Sequence, residues 1–219
     1  PEKAIETLMS HSFVPCEGGE HAIADQYLFA HLVIGRNALK NGDVSKALES
    51  FRKGQILPQS LGAGIWNHCK LVPLKYFEAI CLEKLNNKAE ADEIFTYIAT
   101  IGIEYFSNMH LKELPYYQAC AWKHLGEDIK AQRLITKYRR EWKDIDKVID
   151  NGFFGTTPFF ISFTDDPKQL RRAQHCYLNA LIADFTGDNE KAQAYISESL
   201  ALNSENLPAL TFKIQGFLK

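Results

Sequence analysis

No run in this 219-residue chain approaches the roughly 20 consecutive apolar residues that a membrane-crossing helix requires. Charge of one sign is scarce as well. The 25 Lys and Arg nearly balance 27 Asp and Glu, leaving a net −2, with a pI near 6.4. No overall positive field therefore draws the chain to nucleic acid or an anionic bilayer, and no basic stripe stands out. The five cysteines (Cys16, Cys69, Cys81, Cys120, Cys176) are odd in number and far apart, unlike a disulfide framework or a paired-cysteine zinc site. They read as buried thiols of a reducing compartment, so the expected location is cytoplasmic. Phosphate loop, dinucleotide fingerprint and Ser-His-Asp signature are all missing. Gly35-Arg36 and Gly62-Ala63-Gly64 have no strand before them and carry no phosphate-binding message.

What is present is a register. Ala47, Ala91, Ala131 and Ala192 each stand four residues before a large apolar side chain: Phe51, Phe95, Ile135 and Ile196. Five residues before each alanine is a turn former: Gly42, Asn86, Gly126 and Gly187. Twelve before each is a small residue: Gly35, Ala79, Ala119 and Ala180. Small residues let two helices approach closely, the large one fills the space between them, and the turn former reverses the chain.

This register resembles that of tetratricopeptide (TPR) repeats, pairs of antiparallel helices A and B. The resemblance implies an all-α fold, a right-handed α-α superhelix with irregular insertions, extending as one solenoid over residues 1–219. With a nominal 34-residue unit, the repeats are expected at about 28–61, 72–105, 112–145 and 173–206, followed by a terminal helix at 207–219. Lys3-Ala4-Ile5-Glu6-Thr7-Leu8 echoes Lys46-Ala47-Leu48-Glu49-Ser50-Phe51, so residues 2–10 read as helix B of a partial repeat. A chain that opens on such a half-repeat is expected to be the C-terminal part of a larger protein.

Successive key alanines are 44, 40 and 61 residues apart, which places insertions at 58–70, 105–111 and 150–166. The last holds Phe153, Phe154, Phe159, Phe160 and Phe163, five of 14 phenylalanines, in a stretch without charge. Most of these rings are expected to fill the gap between repeats three and four, leaving an exposed edge as a docking loop. Asp166 and Pro167 read as the N-cap and first residue of the next helix. Glu17-Gly18-Gly19-Glu20 reads as a tight connection, although two carboxylates flanking a sugar pocket are the arrangement of glycosidases. His68-Cys69 and His175-Cys176 cannot chelate alone, because helix neighbours point about 100° apart.

The TPR resemblance further implies that the fifth position of helix A faces the concave groove. Leu32, Tyr76, Tyr116 and Tyr177 stand there, with Phe29, Arg36, Ile80, Glu83, Lys84, Lys123, His124 and Asp184 at neighbouring positions. The tyrosines are either a ladder lining the groove or packing inside the array. Relatives that clamp a C-terminal carboxylate carry Lys and Asn at such positions, and this chain has Tyr. The expected groove residues are Arg36, Tyr76, Lys84, Tyr116, Lys123 and Tyr177.

His11-Ser12-Phe13-Val14-Pro15-Cys16-Glu17-Gly18-Gly19-Glu20 resembles a segment of a family of large, mostly bacterial proteins with a domain of unknown function. Phe153-Phe154-Gly155-Thr156-Thr157-Pro158 and Phe163-Thr164-Asp165-Asp166 resemble another. That family has Trp where Cys16 stands and Gly where His21 stands. In it, a β-rich, sugar-enzyme-like region precedes a C-terminal TPR region. The resemblance implies a non-enzymatic scaffold for protein–protein or interdomain binding, its partner a protein, a peptide or the N-terminal domain of the same chain. No catalytic residue, metal or cofactor is expected. The alternative is an accessory region of a carbohydrate-active enzyme, with Glu17, Glu20 and the tyrosines contributing to a sugar site.

Overall fold

The computed structural model describes residues 1–14, 22–62, 64, 68–102, 112–142 and 166–216. All regular structure among them is helical. The chain forms two compact units, Pro1–Gly126 and Glu127–Lys219. Unit 1 holds α1 (Glu2–Met9), α2 (Ala22–Lys40), α3 (Val44–Gly54), α4 (Val72–Lys84), α5 (Lys88–Thr100) and α6 (Leu114–His124). Unit 2 holds α7 (Asp128–Trp142), α8 (Pro167–Phe185), α9 (Asn189–Leu202) and α10 (Leu207–Gln215). The division falls within the third expected repeat.

The inner turns follow one recipe. Gly42, Asn86, Gly126 and Gly187 all have φ between +61° and +84°, and Asn86 is the one non-glycine with positive φ among the described residues. At Gly42 the amide N–H donates to Leu39 O, and the next N–H, of Asp43, donates to Ala38 O. The same pair recurs at Asn86–Asn87 and Gly187–Asp188. This is the left-handed cap in which two orphan carbonyls of the first helix find donors. The second helix then starts at once. Asp43 accepts from the Lys46 amide at 3.0 Å and Asp188 from the Lys191 amide at 3.2 Å.

In unit 1, α2 packs on α3, α3 on α4, α4 on α5 and α5 on α6; α2 also touches α4, and α4 touches α6. Ala47 and Phe51 of α3, and Ala91 and Phe95 of α5, are at 0% exposure. A Cβ on Gly35 would stand 2.3 Å from Phe51 Cε1, so α2 and α3 meet at hydrogen-only distance there. In unit 2, α7 packs on α8, α8 on α9 and α9 on α10, with Ala192 and Ile196 sealed in the same manner.

Two first helices begin earlier than the nominal repeat unit places them, near residues 22 and 167 instead of 28 and 173, the second where Asp166 and Pro167 mark the start. The extra turns of α2 carry Ala24 and Tyr27, and Tyr27 clusters with Leu8 of α1 and Leu61, flanked by Ile5, Phe13 and Leu57. The Asp166 side chain caps α8 by accepting from the Lys168 amide at 2.9 Å, and Pro167 occupies the first turn. Part of the 58–70 insertion folds back on the N-terminal stretch. Phe13 N–H donates to Ser60 O at 2.8 Å, and Lys70 Nζ pairs with Asp25 at 2.6 Å.

Candidate functional site

The first helices of unit 1 carry most of the expected groove residues. Tyr76 projects from α4 into a nest of rings: Phe95 at 5.7 Å, Tyr117 at 5.6 Å and His124 at 5.8 Å between centroids. Its hydroxyl is 3.1 Å from His124 Nε2, and His124 Nδ1 lies 3.1 Å from Glu83 Oε2. The imidazole lies flat on Phe95 of α5, with centroids 4.3 Å apart and planes 6° apart. Glu83, His124 and Tyr76 thus stand in the order of an acid–base relay. Tyr76 is only 1% exposed, however, so no reactant reaches its hydroxyl in this arrangement. What the cluster does is fasten α4, α5 and α6 to one another.

Beside this cluster, where Phe77 stands edge-on to Tyr76, the buried Arg36 guanidinium sits 4.9 Å from the Phe77 ring centroid. Phe77 in turn stacks on Phe51 at 5.6 Å. The Tyr117 hydroxyl is driven well above the usual phenol range, first by burial and then by the negative charge of Glu113, with Arg36 opposing. It is a neutral hydrogen-bonding group at any physiological pH.

Of the two placements open to the tyrosines, packing inside the array is the one that their burial matches. Tyr76, Tyr116 and Tyr177 are all at or below 1% exposure, so they pack inside the molecule and present no open ring face to a groove. Tyr116 stands edge-on to Tyr117, and Tyr177 tilts against Phe212 of α10. Arg36 and Asp184 are buried too, and Leu32 is half-buried. Lys84 and Lys123 remain exposed, and Lys40 joins them, at the C-terminal ends of α4, α6 and α2. Glu17, Glu20 and the docking-loop residues Phe153, Phe154, Phe159, Phe160 and Phe163 lie outside the described residues.

Cys69 is buried and its thiol donates to Gly102 O at 3.5 Å, whereas neighbouring His68 is exposed. Burial pushes the Cys81 thiol up to about 12, with Glu78 adding to the effect, which makes it inert rather than nucleophilic. Among the described residues, no three His, Cys, Asp or Glu side chains are grouped to hold a metal, and no helix is long and apolar enough to cross a membrane.

Two features carried no sequence signal. Arg52 Nε donates to Glu78 at 2.7 Å and Nη2 to Glu90 at 2.6 Å, while Gln55 donates to the other Glu78 oxygen at 2.6 Å. This network ties α3 to α4 and α5. The His124 bridge is the other. Its members were placed near the groove by register, but nothing in their spacing showed that they bond to one another.

No family model matches the chain, and no solved structure matches it.

Proposed function

We propose that the chain is a non-enzymatic helical-repeat scaffold of the TPR kind that binds a protein or peptide, including a neighbouring domain of a larger bacterial protein. One observation carries the reading. In unit 1 the first helices α2, α4 and α6 are in contact one after another, and each carries an exposed lysine in its last turn, Lys40, Lys84 or Lys123. Stacked hairpins that align their first helices create an extended surface, and repeat arrays use such surfaces for binding. The interior between the hairpins is filled with rings, so recognition falls to the exposed rim and not to a deep pocket.

The test is selection of binding peptides from a displayed library against the purified chain, followed by Lys84→Glu and Lys123→Glu together. Selected peptides should lose at least about tenfold in affinity while the circular dichroism spectrum stays unchanged. Failure to select any binder, or selected peptides indifferent to both reversals, would remove the reading.

A further inference from the structure

A basic stripe runs along α7, where the balanced total charge of the chain gave no sign of one. The helix carries five basic residues, Lys130, Arg133, Lys137, Arg139 and Arg140, against two acidic ones, Asp128 and Glu141. Lys130, Arg133, Lys137 and Arg140 recur at i, i+3, i+7 and i+10, which confines them to about 80° of the helix circumference over about 15 Å. The apolar residues Ala131, Ile135 and Trp142 are buried, and they lie on the opposite side of the helix. All four basic side chains are exposed.

Among the described residues, neutralisation of the stripe is incomplete. Lys130 pairs with Glu127 at 2.9 Å, and Lys137 reaches Glu141 only at 3.8 Å. Arg133, Arg139 and Arg140 have no hydrogen-bonding or ionic partner among the described residues. An exposed isoleucine, Ile129, sits one turn before Arg133 on the same flank, 69% exposed.

We propose that this face of α7 docks an acidic polypeptide segment, a helix or strand bearing carboxylates with an apolar residue at one end. Arginine forks suit carboxylates because two N–H groups match two oxygens. The width of the stripe decides the class of partner. Unit 2 holds 13 acidic and 13 basic residues, so without these four cations the rest of it carries a net −4 (9 basic against 13 acidic), and the stripe is a single file of positive charge on an acidic body. Nucleic acid demands a broader positive field than that. A bilayer demands apolar side chains beside the cations for insertion, and the apolar face of α7 is already buried. A narrow acidic segment fits the file, and its apolar residue covers Ile129. This surface is built from other residues than the first-helix rim of unit 1, and the proposal stands or falls independently of that reading.

Fluorescence anisotropy with a labelled Glu-Leu-Ala peptide of about 18 residues, its glutamates at helical spacing, tests the proposal. Binding is expected at about 50 mM salt and should weaken several-fold by about 300 mM. Arg133→Glu with Arg140→Glu should cost at least about tenfold. Lys3→Glu with Lys213→Glu, the same change in net charge on other exposed helices, should leave affinity within about twofold. All four substitutions are at exposed helical sites, and circular dichroism verifies that each variant folds. No binding by the parent chain, or equal loss in both variants, overturns the proposal. Tighter binding of a single-stranded oligonucleotide or of phosphatidylserine vesicles, lost in the α7 variant, overturns the acidic-polypeptide assignment.

Discussion

Adding one methyl group at Gly35 should destabilise unit 1, and the geometry gives the size. An ideal Cβ there falls 2.3 Å from Phe51 Cε1 and 2.6 Å from both Cδ1 and Cζ. An ordinary carbon contact needs about 3.5 Å or more, so ring or helix must shift by about 1 Å. Phe51 has nowhere to go. It is completely enclosed and stacks on Phe77, which lies under Arg36. Overpacking of this kind costs about 1–3 kcal/mol. Alanine in place of a helical glycine returns about 1 kcal/mol through backbone entropy. The steric term wins because the obstacle is the flank of a locked ring, not the end of a flexible chain. The expected net loss for Gly35→Ala is the difference, up to about 2 kcal/mol, read as a lower urea midpoint. Phe51→Leu alone should also destabilise, by about 1 kcal/mol or more. The double variant should lose less than the sum of the two, since the smaller side chain makes room for the methyl. A Gly35→Ala chain as stable as the parent, or strict additivity in the cycle, refutes the close approach of α2 and α3.

Two further outcomes are expected. Burial, and then the charge of Lys53, hold the His31 imidazole below its ordinary value, so its contribution to stability is present above pH about 6.5 and is lost as pH falls. The thermal midpoint should therefore drop between about pH 7 and 5, and His31→Gln should flatten that drop; an identical pH profile in the variant contradicts the assignment. Glu78→Ala should remove the acceptor shared by Arg52 and Gln55, costing about 1–3 kcal/mol in chemical denaturation, with Glu78→Gln in between. Equal stability of Glu78→Ala and the parent would show that the network contributes nothing.

Local chemistry was the legible part of the sequence. The alanine register found both fully described hairpins of unit 1 and the α8–α9 hairpin of unit 2, because a small residue opposite a large one leaves a fixed spacing. The turn residues were legible for the same reason: a left-handed cap tolerates Gly or Asn and little else. Helix starts were less so. A nominal repeat length placed α8 about six residues late, although Asp166-Pro167 already marked its start. The position of Tyr76, Tyr116 and Tyr177 in each repeat was readable, but which side of the helix was covered depended on neighbours from other hairpins, as with His124 against Tyr76. The stripe on α7 was hidden by averaging. Cations grouped on one helical arc vanish into a neutral total unless they are sorted by helical angle.

The stack of His124 on Phe95 has a consequence for what counts as a module here. Phe95 belongs to the α4–α5 pair by every sequence criterion, yet α6 supplies the surface that closes over its ring. Cut at the apparent boundary after α5, that pair would leave with an uncapped aromatic face and a Tyr76 hydroxyl that has lost His124. The functional brick is thus offset from the repeat by one helix, two helices plus the lid that the next one lends. Grafting, deletion or duplication of repeats in this chain would keep its interior whole only if the cut falls after α6.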